Sequence, residues 1–142
     1  MKIILCGSIS FTNEFETISN KLKNKGFEVD IPLTSKQIIK GELTYDDYSD
    51  EGEPEDRKIK YDVIKRYYNI IKESDGILVI NIDKKGIKNY IGGNTFLEMG
   101  FAHILDKPIY LLNNIPEISY IDEIKAMQPI IINGNLDKIK RN

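Results

Sequence analysis

Two short apolar runs, Gly76-Ile-Leu-Val-Ile-Asn81 and Ile109-Tyr-Leu-Leu112, bracket a segment that opens on glycines and continues as a helix. Neither run alternates apolar with polar, so each reads as a strand buried on both faces. Between them lie Gly92-Gly93, then Asn94 and Thr95, then a helical stretch ended by Lys107-Pro108. Strand, glycine loop, helix and strand make one βαβ unit of a parallel sheet. In such sheets ligands bind at the carboxyl ends of the strands, where loops of this kind lie.

The flanking chain extends the same rhythm. Lys2–Cys6 is an isoleucine-rich run that opens into a turn at Gly7-Ser8. Thr12–Lys25 has helical spacing at Phe15, Ile18 and Leu22, a cap at Thr12 or Asn13, and a stop at Gly26. Phe27–Ile31 is the second strand, stopped by Pro32, and Ser35–Gly41 is a candidate short helix. Thr44–Asp56 reads TYDDYSDEGEPED, the composition of a solvated or mobile loop, with an active-site lid as the sharper reading. Its acidic spacing fits no EF-hand. A helix over Arg57–Lys72 carries Ile59, Val63, Ile64, Tyr67 and Ile71 as one apolar stripe. Asn113–Ile124 reads as a polar connection, Met127–Ile132 as a fifth strand and Asn135–Ile139 as a last helical turn.

Five strands with intervening helices predict an α/β fold. The expectation is a single-domain, three-layer sandwich of the flavodoxin-like, Rossmann-like kind over residues 1–142, with a five-stranded parallel sheet in the order 2-1-3-4-5. Strands 1 and 3 then flank the switch point, and the loops Gly7–Asn13 and Ile82–Asn94 border the pocket. A chain of 142 residues matches one domain. The lone cysteine, Cys6, excludes an internal disulfide and suits a reducing cytoplasm. Met1–Leu5 is too short for a signal peptide, and no apolar run approaches the ~20 residues of a membrane helix. With a net charge of −2, and arginine confined to Arg57, Arg66 and Arg141, no footprint for nucleic acid is visible.

The chain contains neither GxGxxG nor a Walker loop, and no cysteine or histidine cluster, so no cofactor or metal is expected. The sole histidine, His103, lies about 140° around the helix from Glu98 and reads as solvent-facing or packing. A pair with Cys6 or Ser8 is possible on paper without support from the spacing. Glu98 is left. Thr95-x-x-Glu98 reads as a capping box, which puts Glu98 in the first turn of its helix. Leu97, Phe101, Ile104 and Leu105 read as the buried face, which leaves Glu98 at its border beside the pocket mouth. Gly92-Gly93 lets a ligand approach the backbone closely. A carboxylate there suits attack on, or stabilisation of, an oxocarbenium-like sugar carbon.

Gly93-Asn-Thr-Phe-Leu-Glu-Met-Gly-Phe-Ala102 followed by Asp106-Lys-Pro108 resembles the signature of the nucleoside 2-deoxyribosyltransferase-like superfamily. That group includes the transferases and the 2′-deoxynucleoside 5′-monophosphate N-glycosidases. Ile3-Ile-Leu-Cys-Gly-Ser8 resembles its first strand and substrate loop, and Ser74-Asp75-Gly-Ile-Leu-Val79 its third strand. The resemblance implies N-glycosidic bond cleavage, hydrolytic or by transfer, with Glu98 as the nucleophile of a covalent glycosyl intermediate. A non-catalytic nucleotide sensor on the same fold is the competing class. The resemblance makes Gly7, Ser8, Tyr67, Asp83, Gly92, Gly93 and Asn94 candidate substrate contacts. Tyr67 stands where the family carries an aspartate, with Asp62 and Asp83 as stand-ins. The loop after the first strand lacks the family's arginine, so Lys84, Lys85 and Lys88 are the phosphate candidates, equally readable as a solvated loop. The implied partners are a small nucleoside or nucleotide and further copies of the chain, as a homodimer or larger.

Overall fold

The computed structural model describes residues 1–43, 59 and 62–140. In order come β1 (Lys2–Cys6), α1 (Thr12–Asn24), β2 (Glu28–Asp30), α2 (Leu33–Ile39), α3 (Val63–Lys72), β3 (Gly76–Val79), α4 (Gly93–Ile104), β4 (Ile109–Leu111), α5 (Ile121–Ala126) and β5 (Ile130–Ile131). Short 3-10 turns lie at Ile9–Phe11 and Leu136–Lys138. The sheet is five-stranded and parallel throughout, in the order β2-β1-β3-β4-β5, as the spacing of apolar runs predicts.

Asp75 starts the central pairing. Its carboxylate accepts the Lys2 amide at 2.7 Å, and its own amide donates to the Lys2 carbonyl at 2.9 Å. The register then runs from Ile3↔Gly76 to Cys6↔Val79, so β1 and β3 end level and their loops emerge side by side. Gly7 is fixed by this arrangement: a Cβ there would lie 3.0 Å from the Ile80 carbonyl oxygen and 3.2 Å from the Phe15 ring. At the end of β3, the buried Asn81 donates to the carbonyls of Asn113 and Asn114, both at 2.9 Å, and accepts the Asn113 amide. A polar side chain buried without such partners would cost about 1–3 kcal/mol.

Alternate strand residues point to opposite faces. Ile3, Leu5, Leu78, Ile80 and Tyr110 pack under α1 with Phe15 and Leu22. Ile4, Cys6, Ile77, Val79, Ile109 and Leu111 pack under α3, α4 and α5 with Tyr67, Ile71, Met99, Ala102 and Ile124. α1 ends in a Schellman turn, with Gly26 at φ 93°, Gly26 donating to Lys23 and Phe27 donating to Leu22. α4 ends the same way with Asp106 at φ 57°, bonds running from Asp106 to His103 and from Lys107 to Ala102. None of the helices among the described residues is long and apolar enough to cross a membrane.

Several expectations are corrected. The short helix after β2 begins at Leu33, directly behind Pro32, and ends at Ile39. The stretch read as a polar connection contains α5, whose Ile124 is buried; six residues are too few to display a helical period. β5 is only Ile130–Ile131, because Gln128 at φ 53° and Pro129 occupy the expected strand start. α1 is led in by the 3-10 turn that Ser8 caps, so Thr12 is its first residue and not a cap. α3 is described from Val63, after Asp62 at φ 46°. Its buried residues are Tyr67 and Ile71, whereas Ile64 is 44% exposed and Ile59 is 70% exposed. The acidic stretch 44–56, on which the loop and lid readings fell, lies outside the described residues.

Candidate active site

The carboxyl ends of β1, β2 and β3 open into a cavity of about 270 Å³. That is just under the roughly 300–1,000 Å³ of small-molecule sites. Gly7 and Ser8 border it after β1, Pro32 to Thr34 after β2, and Lys84, Tyr90 and Gly92 to Thr95 after β3. α3 closes one side with Val63, Arg66, Tyr67 and Ile70, the i, i+3, i+4, i+7 face of that helix. Glu98 enters from α4.

α4 is turned differently from the sequence expectation. Its N-cap is Gly92, in extended conformation, and the cap makes no side-chain hydrogen bond. Thr95 therefore sits inside the first turn, buried, and Glu98 lies in the second turn, so the capping box is not formed. The face against the sheet is Thr95, Met99 and Ala102, while Leu97 is 42% exposed and Ile104 is 80% exposed. Phe101 and Leu105 are half-buried, Phe101 against the Tyr68 ring of α3 at 5.3 Å between centroids. Small side chains at Thr95 and Ala102 let the backbone lie close to the strands. Glu98, three residues beyond Thr95 and four before Ala102, is thereby carried to the cavity side.

The glycine loop is held from behind. The Tyr120 hydroxyl donates to the Ile91 carbonyl, and its ring stacks on Phe96 at 4.5 Å. A Cβ at Gly92 would lie 3.1 Å from the Tyr90 ring, whereas one at Gly93 would meet nothing within 4 Å. Ahead of it, Lys84 and Ile87 exchange both backbone bonds around Lys85 at φ 53° and Gly86 at φ 73°. Two successive left-handed residues are the mark of a type I′ turn. It aims the Lys84 ammonium at Ser8, whose Oγ accepts at 2.7 Å, with the Tyr90 ring centroid 5.8 Å away.

Tyr67 is buried, and its hydroxyl donates to the Leu5 carbonyl. Burial raises its phenol well above the usual 10.0, and the nearby Cys6, Glu98 and Asp30 add to that. Burial likewise pushes the Cys6 thiol well above 9.0, with the Glu98 charge contributing. Tyr67, Cys6 and Glu98 thus share one electrostatic neighbourhood, in which the phenol and the thiol stay protonated at neutral pH. His103 faces solvent, in the last turn of α4, and forms no dyad with buried Cys6.

Of the sequence candidates, Gly7, Ser8, Tyr67, Lys84, Gly92, Gly93, Asn94 and Glu98 border the cavity. Asp83 does not: its carboxylate accepts the Asn89 amide at 2.9 Å and braces the loop. Lys85 and Lys88 are exposed and off the wall, and Asp62 is exposed at the start of α3. Sequence reasoning missed Thr34, Arg66 and Tyr90. The strand order carried a signal for Thr34, because β2 lies beside β1 and its loop must reach the same pocket. For Arg66 the signal was the helical face it shares with Tyr67. Among the described residues no group of three His, Cys, Asp or Glu could hold a metal ion.

No protein-family model and no curated protein matches the chain. Among solved structures it is similar to a Clostridium botulinum CMP N-glycosidase, BcmB, with a TM-score of 0.52 and 22% sequence identity. The match covers 94% of this chain and 90% of that one, so the two share a fold over nearly their whole length.

Proposed function

We propose that the chain cleaves the N-glycosidic bond of a nucleoside 5′-monophosphate, with Glu98 as nucleophile and water as acceptor. The observation that carries this reading is the carboxylate of Glu98 on the cavity wall that the glycine loop and Tyr67 also line, within electrostatic reach of Cys6. The fold shared with a CMP N-glycosidase supports the class of reaction. A Glu98 oxygen attacks C1′ as the C1′–N bond breaks, and the base leaves with that electron pair and takes a proton from solvent. Water then adds to C1′ and gives up a proton, and Glu98 departs with its bonding pair as a free carboxylate. The net change is one water divided between base and sugar phosphate. A second base in place of water would make the same site a transferase. With phenol and thiol both neutral, Glu98 supplies a carboxylate to meet the positive charge developing at C1′.

The test is incubation with a panel of nucleosides and nucleotides, following free base by chromatography. Base release from a monophosphate is the expected result. Binding without release from any member of the panel would overturn the reaction and leave a nucleotide sensor. Assembly belongs to the same reading. Leu97 and Ile104 of α4, with Ile64 of α3, are exposed apolar side chains on the two helices that also line the cavity. A second copy of the chain is the partner we assign to them, as a homodimer that closes the pocket.

A further inference from the structure

We propose that Arg66 of α3 is the guanidinium that binds the substrate's phosphate, a role for which the loop after β1 carries no arginine. This rests on the monophosphate reading above. A phosphate monoester bears about −1.5 to −2 charge at neutral pH, so a cavity that takes it needs cations on its walls. Of the three loop lysines only Lys84 reaches the cavity. Among the described residues, the other cation on its wall is Arg66.

Both line the one cavity. α3 is docked on the end of β1 by the bond from the Tyr67 hydroxyl to the Leu5 carbonyl, which brings Arg66, the residue before Tyr67, to that end. Lys84 is tied to Ser8, three residues beyond Leu5, and lines the same cavity as Arg66. An anion lodged beside Gly7 and Ser8 would share the cavity with both cations. Arg66 is exposed and pairs with no carboxylate among the described residues. A guanidinium offers paired N–H donors that match two phosphate oxygens, which a lysine cannot do. The remainder of the α3 face, Val63 and Ile70, is apolar and suited to the uncharged parts of a nucleotide.

The experiment measures binding of the four common ribonucleoside 5′-monophosphates and their nucleosides to Glu98→Gln protein by calorimetry, alone and with Arg66→Gln, Arg66→Lys or Lys88→Ala added. Arg66→Gln should weaken monophosphate binding by about 10- to 100-fold while nucleoside binding changes little. Arg66→Lys should restore part of the loss, and Lys88→Ala should resemble the parent. The salt dependence of monophosphate binding should flatten in Arg66→Gln. Equal losses for nucleosides and monophosphates, or no loss at all, would overturn the assignment. Selective binding that depends on Arg66 without turnover in the wild type would uphold Arg66 and remove the reaction. Turnover with unchanged monophosphate preference in Arg66→Gln would do the reverse, and failure of every monophosphate to bind would remove both.

Discussion

The two faces of the sheet are built from the same strands and differ in kind. Under α1 the packing is aliphatic and aromatic, led by Phe15, Leu22, Leu5 and Leu78. Under α3 and α4 the apolar packing is interrupted at the strand ends by a thiol, a phenol and a carboxylate, those of Cys6, Tyr67 and Glu98. None of Phe15, Leu22, Leu5 and Leu78 lines the cavity. The second face must keep polar groups beside a cavity and still hold α3 and α4 down. Function is expected to concentrate on the second face and folding stability to draw more evenly on both.

The largest effect tests that division at its sharpest point. Glu98→Gln should lower base release by about 10³-fold or more, since an amide is a very poor nucleophile. Its stability should move by no more than about 1 kcal/mol, as Glu98 is not part of the helix cap. Rate and thermal unfolding are measured on the same preparations, and intact activity in this variant would end the nucleophile assignment. On the other face, Phe15→Ala should cost about 3–5 kcal/mol of stability from the lost burial and the cavity left behind. The folded fraction of that variant should keep its activity per molecule; a specific loss would mean that the α1 face reaches the site.

Titration separates the faces next. Cys6 and Tyr67 both have pKa values raised in the folded state, so the unfolded chain loses these protons first as pH rises. Their contribution is fully present below about pH 9 and falls as pH climbs from there toward the folded values. The slope is up to about 1.4 kcal/mol per pH unit for each group. Chemical denaturation between pH 7 and 11 should show this decline, shallower in Cys6→Ala or Tyr67→Phe; a decline of unchanged slope in both variants would place its origin elsewhere. The smallest effect on the fold concerns the outer surface. Ile104→Ser and Leu97→Ser should alter monomer stability by about 0.5 kcal/mol or less. They should nevertheless shift the mass measured by light scattering from dimer to monomer, and a wild type that is monomeric at high concentration would exclude the proposed homodimer.

Much of the architecture was legible because a parallel sheet buries its strands on both sides and writes them as unbroken apolar runs. Lys2–Cys6, Gly76–Val79 and Ile109–Leu111 are therefore readable without knowing their partners, and Gly26 announces the end of α1 through its left-handed backbone. The strand order in turn located the pocket, along with Glu98, Ser8 and the glycine loop on its border. The rotation of α4 was not legible. Phe96, Leu97, Met99, Phe101, Ala102, Ile104 and Leu105 surround most of that helix, so its period does not say which side meets the sheet. The strands took the side of Thr95, Met99 and Ala102 and left Leu97 and Ile104 outside, a choice made by packing against the sheet and not by the helix's own period. Arg66 and Thr34 reach the cavity wall for a similar reason. Their helices lie far from Glu98 along the chain, and only docking on the ends of β1 and β2 brings them to one cavity.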